Sequence, residues 1–269
     1  MKKNKILALG VCVAMLATAV VGGTMAYFTD TDAQKNVMTT GKVDISQNEQ
    51  QRDGDTLVDF VQDKPLMPMV DTREEGDKVV VDGYFNSKMN NVVDKIVTVK
   101  NEAEKDAINQ DAYVRTILAF ETNTEYEAGT TKVLRDGKKI FDTYIGTLGD
   151  FELLERDTIK IDGVEYVLAV KVYENALVPQ EVSAPSLKQI FMSPDANNEV
   201  ATLFGEEYTI LTVSQGTQTA GFEAKVDDEG NVIKTASAVA LDTAFGDLED
   251  TVKVTDAMLA EWLKAGKKE

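Results

Sequence analysis

Ile159-Lys160-Ile161-Asp162-Gly163-Val164-Glu165-Tyr166-Val167 places two alternating, β-branched runs on either side of an Asp-Gly pair. A two-residue type I′ hairpin turn needs positive φ at both central residues, and Asp-Gly meets that need at low steric cost. The stretch predicts a hairpin whose return strand runs on through Val170 to Tyr173.

The same texture continues outward. Strands are predicted at Lys78–Tyr84, Val92–Lys100, Tyr113–Glu121, Lys139–Ile145 and Tyr208–Thr219, with Leu187–Met192 as a short apolar segment. Val43 and Ile45 open a first strand after Gly41, and Asp228-Glu229-Gly230-Asn231 reads as a second turn. In the Tyr113 run, Val114, Thr116, Leu118 and Phe120 share one face, and Tyr113, Arg115, Ile117 and Ala119 the other. Apolar residues on both faces predict a strand that is largely covered. The polar stretch Gln47 to Asp55 reads as a loop, and Pro65 and Pro68 exclude a central strand between Lys64 and Val70, so this region reads as an insertion or long loop.

Two helices are expected near the end. In Thr235 to Phe245, Ala238, Leu241 and Phe245 fall three and four apart, with Gly246 as the stop. Thr255 then reads as an N-cap, with Met258, Leu259, Trp262 and Leu263 on one face and lysines after Gly266. That apolar face is expected to pack on its own domain.

The start of the chain has a different character. Lys2, Lys3 and Lys5 precede an uncharged run from Ile6 to Val21, followed by Gly22-Gly23-Thr24-Met25-Ala26-Tyr27-Phe28-Thr29-Asp30. A basic start, a short apolar run and a small-residue junction are the parts of a secretory signal. Cleavage is expected beside Ala26, Tyr27 and Phe28, after Ala26 by the small-residue rule. An uncleaved anchor is the alternative, because the run extended to Tyr27 just reaches the ~20 residues a bilayer requires. Gly22 and Gly23 end the apolar run and favour removal. The expected organisation is a signal peptide at 1–27, a β-sandwich domain at 28–250 and a C-terminal amphipathic helix at 251–269. No sorting signal or second apolar span follows, so the processed chain is expected outside the cell with no remaining tie to it.

Composition removes several classes of function. Lys and Arg number 28 against 46 Asp and Glu, a net charge of −18. Such a surface repels nucleic acid and anionic lipid, leaving the uncleaved signal as the only expected membrane contact. The chain has no histidine, and its one cysteine, Cys12, lies in the apolar run. Disulfides, His- or Cys-based zinc sites and imidazole triads are therefore excluded. Asp30 with Asp32, Asp53 with Asp55, and Asp227 to Asn231 could supply oxygen ligands to calcium, but none follows the EF-hand pattern, and they read as turn and surface acids. Ser183 to Lys188 reads as a loop. No catalytic, cofactor-binding or metal residue is assigned.

The junction Gly22 to Asp30, followed by Gly41-Lys42-Val43-Asp44-Ile45, resembles the start of the TasA/camelysin family of exported Gram-positive proteins. Val97-Thr98-Val99-Lys100-Asn101, Asp111-Ala112-Tyr113-Val114-Arg115 and Ala236 to Gly246 are shorter matches. The resemblance implies removal of the signal by a SipW-type signal peptidase, with Tyr27 as the alternative last residue of the signal. It also implies a jelly-roll-like β-sandwich, with long loops and one or two short C-terminal helices. For function it implies a secreted biofilm-matrix or cell-surface fibre protein, which associates with itself or with a paralogous subunit, and the missing His and mature Cys lead to the expectation that it is not an enzyme. The donated assembly strand would be Phe28 to Ile45, with Phe28, Val37, Val43 and Ile45 as its apolar positions. A camelysin-like metallopeptidase is the alternative from another class. A surface-binding module gripping its target through the loops between Gln47 and Asp77 is a third.

Overall fold

Asp162 and Gly163 take φ of 52° and 86°, and Ile161 faces Val164, so the Asp-Gly hairpin forms as its sequence dictates. The computed structural model describes residues 26–29, 37–40, 43–61, 64–105, 110–122, 131–135, 138–141, 144–196 and 207–264. The first five strands are β1 (Ala26–Thr29), β2 (Val37–Thr40), β3 (Ile45–Asp53), β4 (Thr56–Asp59) and β5 (Lys64–Leu66). A surface excursion holds β6 (Val70–Asp71), β7 (Val80–Val81), β8 (Tyr84–Phe85) and β9 (Met89–Asn90). Then come β10 (Val92–Asn101), β11 (Ala112–Thr122), β12 (Thr131–Arg135), β13 (Lys138–Phe141) and β14 (Ile145–Gly149). β15 (Glu152–Leu153), β16 (Ile159–Ile161), β17 (Val164–Val172), β18 (Leu187–Met192) and β19 (Glu207–Gln218) follow. A hairpin of β20 (Lys225–Val226) and β21 (Val232–Lys234) precedes helices α1 (Ala236–Phe245) and α2 (Asp256–Lys264).

The chain is an all-β sandwich. One sheet has the order β15-β17-β11-β19-β1-β5, with β16 also on β17 and β2 also on β19. The other runs β13-β12-β14-β18-β10-β3-β4. From β10 onward the chain keeps crossing between the sheets, as in a jelly roll. Leu118, Phe120, Tyr208 and Ile210 of the first sheet meet Val97, Ile145, Leu187 and Ile190 of the second in the main core. The opposite face of β11 and β19 carries Ile117, Ala119, Leu211 and Val213, covered by Leu259 and Leu263 of α2. This third, helical layer explains why β11 is apolar on both faces.

Several expectations need correction. Gln47 to Asp53 is strand, not loop: Gln47 is 1% exposed and its polar side chain is satisfied across the sandwich. Gly54, at φ 60° in the first central position of a two-residue turn, folds this strand back into β4. Lys78–Tyr84 is a hairpin, because Asp82 and Gly83 take φ of 52° and 78° and Val81 faces Tyr84. Lys139–Ile145 divides between β13 and β14. β5 lies at a sheet edge, as Pro65 requires.

The expected Gly246 stop and Thr255 N-cap both form, the latter accepting the Met258 N–H, while Gly266 lies outside the described residues and the buried faces differ somewhat from those expected. Thr235 Oγ1 accepts the Ala238 N–H, and Gly246, at φ 92°, donates its N–H to the Asp242 carbonyl. α1 buries Ser237, Ala240 and Leu241 rather than the Ala238–Leu241–Phe245 stripe. These include the smaller side chains, which let the helix lie close on β11 and β19. α2 buries Leu259 and Leu263, while Met258 remains exposed and Trp262 is partly buried.

Two acids make the fold sensitive to low pH. The Lys234 ammonium holds the Asp247 carboxyl below its ordinary value of 3.8. Lys100, and then the Ser46 hydroxyl, hold Glu102 below 4.5. A carboxyl with a depressed folded-state pKa binds fewer protons folded than unfolded, so its stabilisation is complete above the unfolded value. It is lost as pH falls through the folded value. Stability against thermal unfolding should therefore fall below pH 4.5, and Asp247→Asn should make that acid limb shallower.

Candidate strand-exchange edge

β19 is paired along one side by β11 in an antiparallel ladder from Phe120–Ile210 to Ala112–Gln218. Its other side is occupied by the N-terminal segment. Tyr27, Phe28 and Thr29 lie parallel to residues 207, 208 and 209, and Val37 to Thr40 lie parallel to Ser214 to Thr217. Left uncovered, that side would present a long row of unpaired N–H and C=O groups.

Side-chain contacts hold β2 in register. Val37, beside inward-facing Ser214, packs on the sandwich interior, while Met38, beside Gln215, packs toward the helical layer. Thr40 Oγ1 donates to Thr217 Oγ1 at 2.9 Å, and Gln215 Nε2 approaches Met38 Sδ at 3.6 Å. The chain then crosses to the second sheet. Val43 and Ile45 are buried with Val99, Val114, Tyr173 and Leu177. Gly216 leaves room for this crossing: a Cβ there would stand 2.9 Å from Ile45 Cδ1.

Below the edge a chain of polar groups joins the sheets. Gln47 Nε2 donates to Thr212 Oγ1 at 2.6 Å, and Ser214 Oγ donates to Gln47 Oε1 at 2.7 Å. Thr212 Oγ1 also donates to Glu49 Oε1 at 2.5 Å, and Glu49 pairs with Lys95. The interior beneath this end of β19 is thus hydrogen-bonded, and each pairing has a defined geometry.

Of the residues expected to matter, Ala26, Tyr27 and Phe28 lie in β1, and Val37 lies in β2. Tyr27, Phe28 and Val37 fall along one side of β19 and Ala26 faces Leu66 of β5, whereas Val43 and Ile45 lie in the interior beyond the crossing. Sequence reasoning missed β5, the antiparallel neighbour of β1 on its far side. The one available signal was Pro65, which marks an edge strand without saying what it borders. Asp30 and Asp32 lie outside the described residues. Asp227 accepts N–H bonds from Glu229 and Asn231, the pattern of a turn.

A separate cavity of about 410 Å³ opens beside β5, lined in part by Arg52, Lys64, Asn86, Asn91, Asp94 and Gln189. Arg52 is clamped to Asp94 at 2.7 and 2.9 Å and lies over the Tyr84 ring. Burial pushes the Lys64 ammonium below its ordinary value.

Residues 2–67 match the family described as camelysin metallo-endopeptidase. No curated protein and no solved structure matches the chain. The resemblance read from the junction residues is therefore present over the N-terminal part. The metal that the family description implies does not fit this chain. There is no histidine, the single cysteine is Cys12, and no group of three Cys, Asp or Glu converges among the described residues. Among those residues no helix is long and apolar enough to cross a membrane.

Proposed function

We propose that this chain, with its N-terminal camelysin-family match, is a secreted structural subunit of a biofilm matrix or cell-surface fibre. After removal of the signal near Ala26–Phe28 by a SipW-type peptidase, the freed N-terminal strand is given to a neighbouring copy or to a paralogous subunit. One observation carries the reading: one side of the twelve-residue strand β19 is paired at residues 207–209 by β1 and at residues 214–217 by β2, both from the start of the chain. The same rungs can form between molecules, so exchange replaces each backbone pair by an equivalent one. A head-to-tail exchange of this kind generates filaments where its rotation does not close into a ring.

The test compares mature protein with a form lacking residues 28–43, by electron microscopy and sedimentation. The mature form should assemble with rising concentration, and the truncated form should not make filaments. If the mature form stays monomeric throughout, the strand-exchange reading is wrong. The cavity beside β5 favours a second reading, a binding module. Capture of one defined surface component by monomeric protein, lost on Asn86→Ala, would support it.

A further inference from the structure

The junction marked for cleavage is itself a strand with neighbours on both sides. Toward β19, Tyr27, Phe28 and Thr29 pair with residues 207–209, and toward β5, Ala26, Tyr27 and Phe28 pair with Leu66, Pro65 and Lys64. Hydrogen-bonded and non-hydrogen-bonded rungs alternate in an antiparallel pair. Proline has no N–H, so Tyr27–Pro65 is the non-bonded rung, and Ala26–Leu66 and Phe28–Lys64 carry the bonds. Both candidate scissile bonds, Ala26–Tyr27 and Tyr27–Phe28, lie between those two rungs.

An enzyme that takes hold of an extended peptide does so by strand addition, through the peptide's own N–H and C=O groups. In the folded chain those groups of β1 are directed to β5 on one side and β19 on the other. Access therefore requires β1 to leave the sheet.

We propose that the fold protects its own processing junction, so that the signal is cut before β1 enters between β5 and β19. Cutting at either bond also removes the Ala26–Leu66 rung, leaving Phe28–Lys64 as the only hydrogen-bonded rung to β5 among the described residues. Processing thereby loosens the strand that is to be exchanged, while an uncut chain remains capped by its own N-terminus. This rests on the reading of Ala26–Phe28 as a processing site and of β1 as the exchanged strand.

The experiment uses the full-length chain and membranes of the producing cell, which hold its signal peptidase. Chain diluted from urea into those membranes should be cut at least tenfold faster than chain allowed to fold first. Leu66→Pro, which deletes one bonded N–H of β5, should make the folded chain cleavable. Leu66 lies in the core, so hydrogen exchange of the unchanged full-length chain gives an independent measure. The amides of residues 26–29 should exchange slowly, as those of β11 do. Equal cleavage of folded and unfolded chain, or exchange of residues 26–29 at the rate of a free peptide, overturns the proposal. If cleavage is equal but the mature chain still assembles, the proposal alone fails and the function stands. If neither form is cut near Ala26, the processing reading fails and takes the proposal with it.

Discussion

Lys95→Met is expected to cost about 3–5 kcal/mol of folding stability, the penalty for removing one partner of a buried ion pair. The Lys95 side chain is fully buried and that of Glu49 only 7% exposed. The two sit on adjacent strands β10 and β3, and the Lys95 ammonium lies 4.9 Å from the centre of the Phe60 ring. Without the ammonium, the carboxylate keeps its bonds from Gln47 Nε2 and Thr212 Oγ1 but loses its neutralising charge. Lys95→Met combined with Glu49→Leu should recover most of the loss, because Gln47 and Thr212 still bond one another at 2.6 Å. Urea unfolding at neutral pH measures both variants. A cost below about 1 kcal/mol for the single change would mean that the pair is solvated, since exposed pairs contribute no more than that.

Arg115→Met is the second large effect, expected near 3 kcal/mol, the lower end of the same range. The Arg115 side chain is 2% exposed and forks three ways: to Gln215 Oε1 at 2.7 Å, Asp242 Oδ1 at 3.0 Å and the Gly246 carbonyl at 3.1 Å. One guanidinium thus fastens the C-terminal end of α1 to the outer face of β11 and β19. Burial lowers its pKa to about 10, which leaves it charged at neutral pH. Asp242 keeps Lys234 as a partner, which places the cost at the lower end. Arg115→Lys should recover only part, because an ammonium cannot reproduce the planar fork. Thermal unfolding gives the loss. The emission of Trp262, the single tryptophan, reports whether the helical layer has loosened.

The Lys95 and Arg115 networks also mark where sequence reading stopped. Val114, Leu118 and Phe120 were legible as a core face, because apolar side chains at even spacing along an extended chain all project from the same side. Gln47 and Glu49 were not. A polar strand looks like a loop until a particular partner is placed opposite it, and Thr212 and Ser214 lie far away in the chain. Arg115 stood in an apolar run with no hint that Asp242 and Gly246 would meet it. Its reason for being there is the α1 terminus laid over the sheet.

At the candidate site the division is similar. The family resemblance of the junction from Gly22 to Asp30 was readable because it is carried by a local string, and the family match covers it. Strand-forming character at Val37 to Ile45 was partly readable as well. What that segment pairs with was not, and neither was the separation of Val37, beside β19, from Ile45, inside the core.

By itself, then, the sequence determined the turn at Asp162-Gly163, the caps at Gly246 and Thr255 and the absence of imidazole chemistry. These depend on φ preferences, side-chain donors and composition, all of which act within a few residues. Only the tertiary structure decided that β1 lies between β5 and β19, and that β2 continues along the same side. Strand pairing is made by backbone N–H and C=O groups, which nearly every residue shares. A strand therefore carries no local label for its neighbour, and the choice falls to the packing of the whole sandwich.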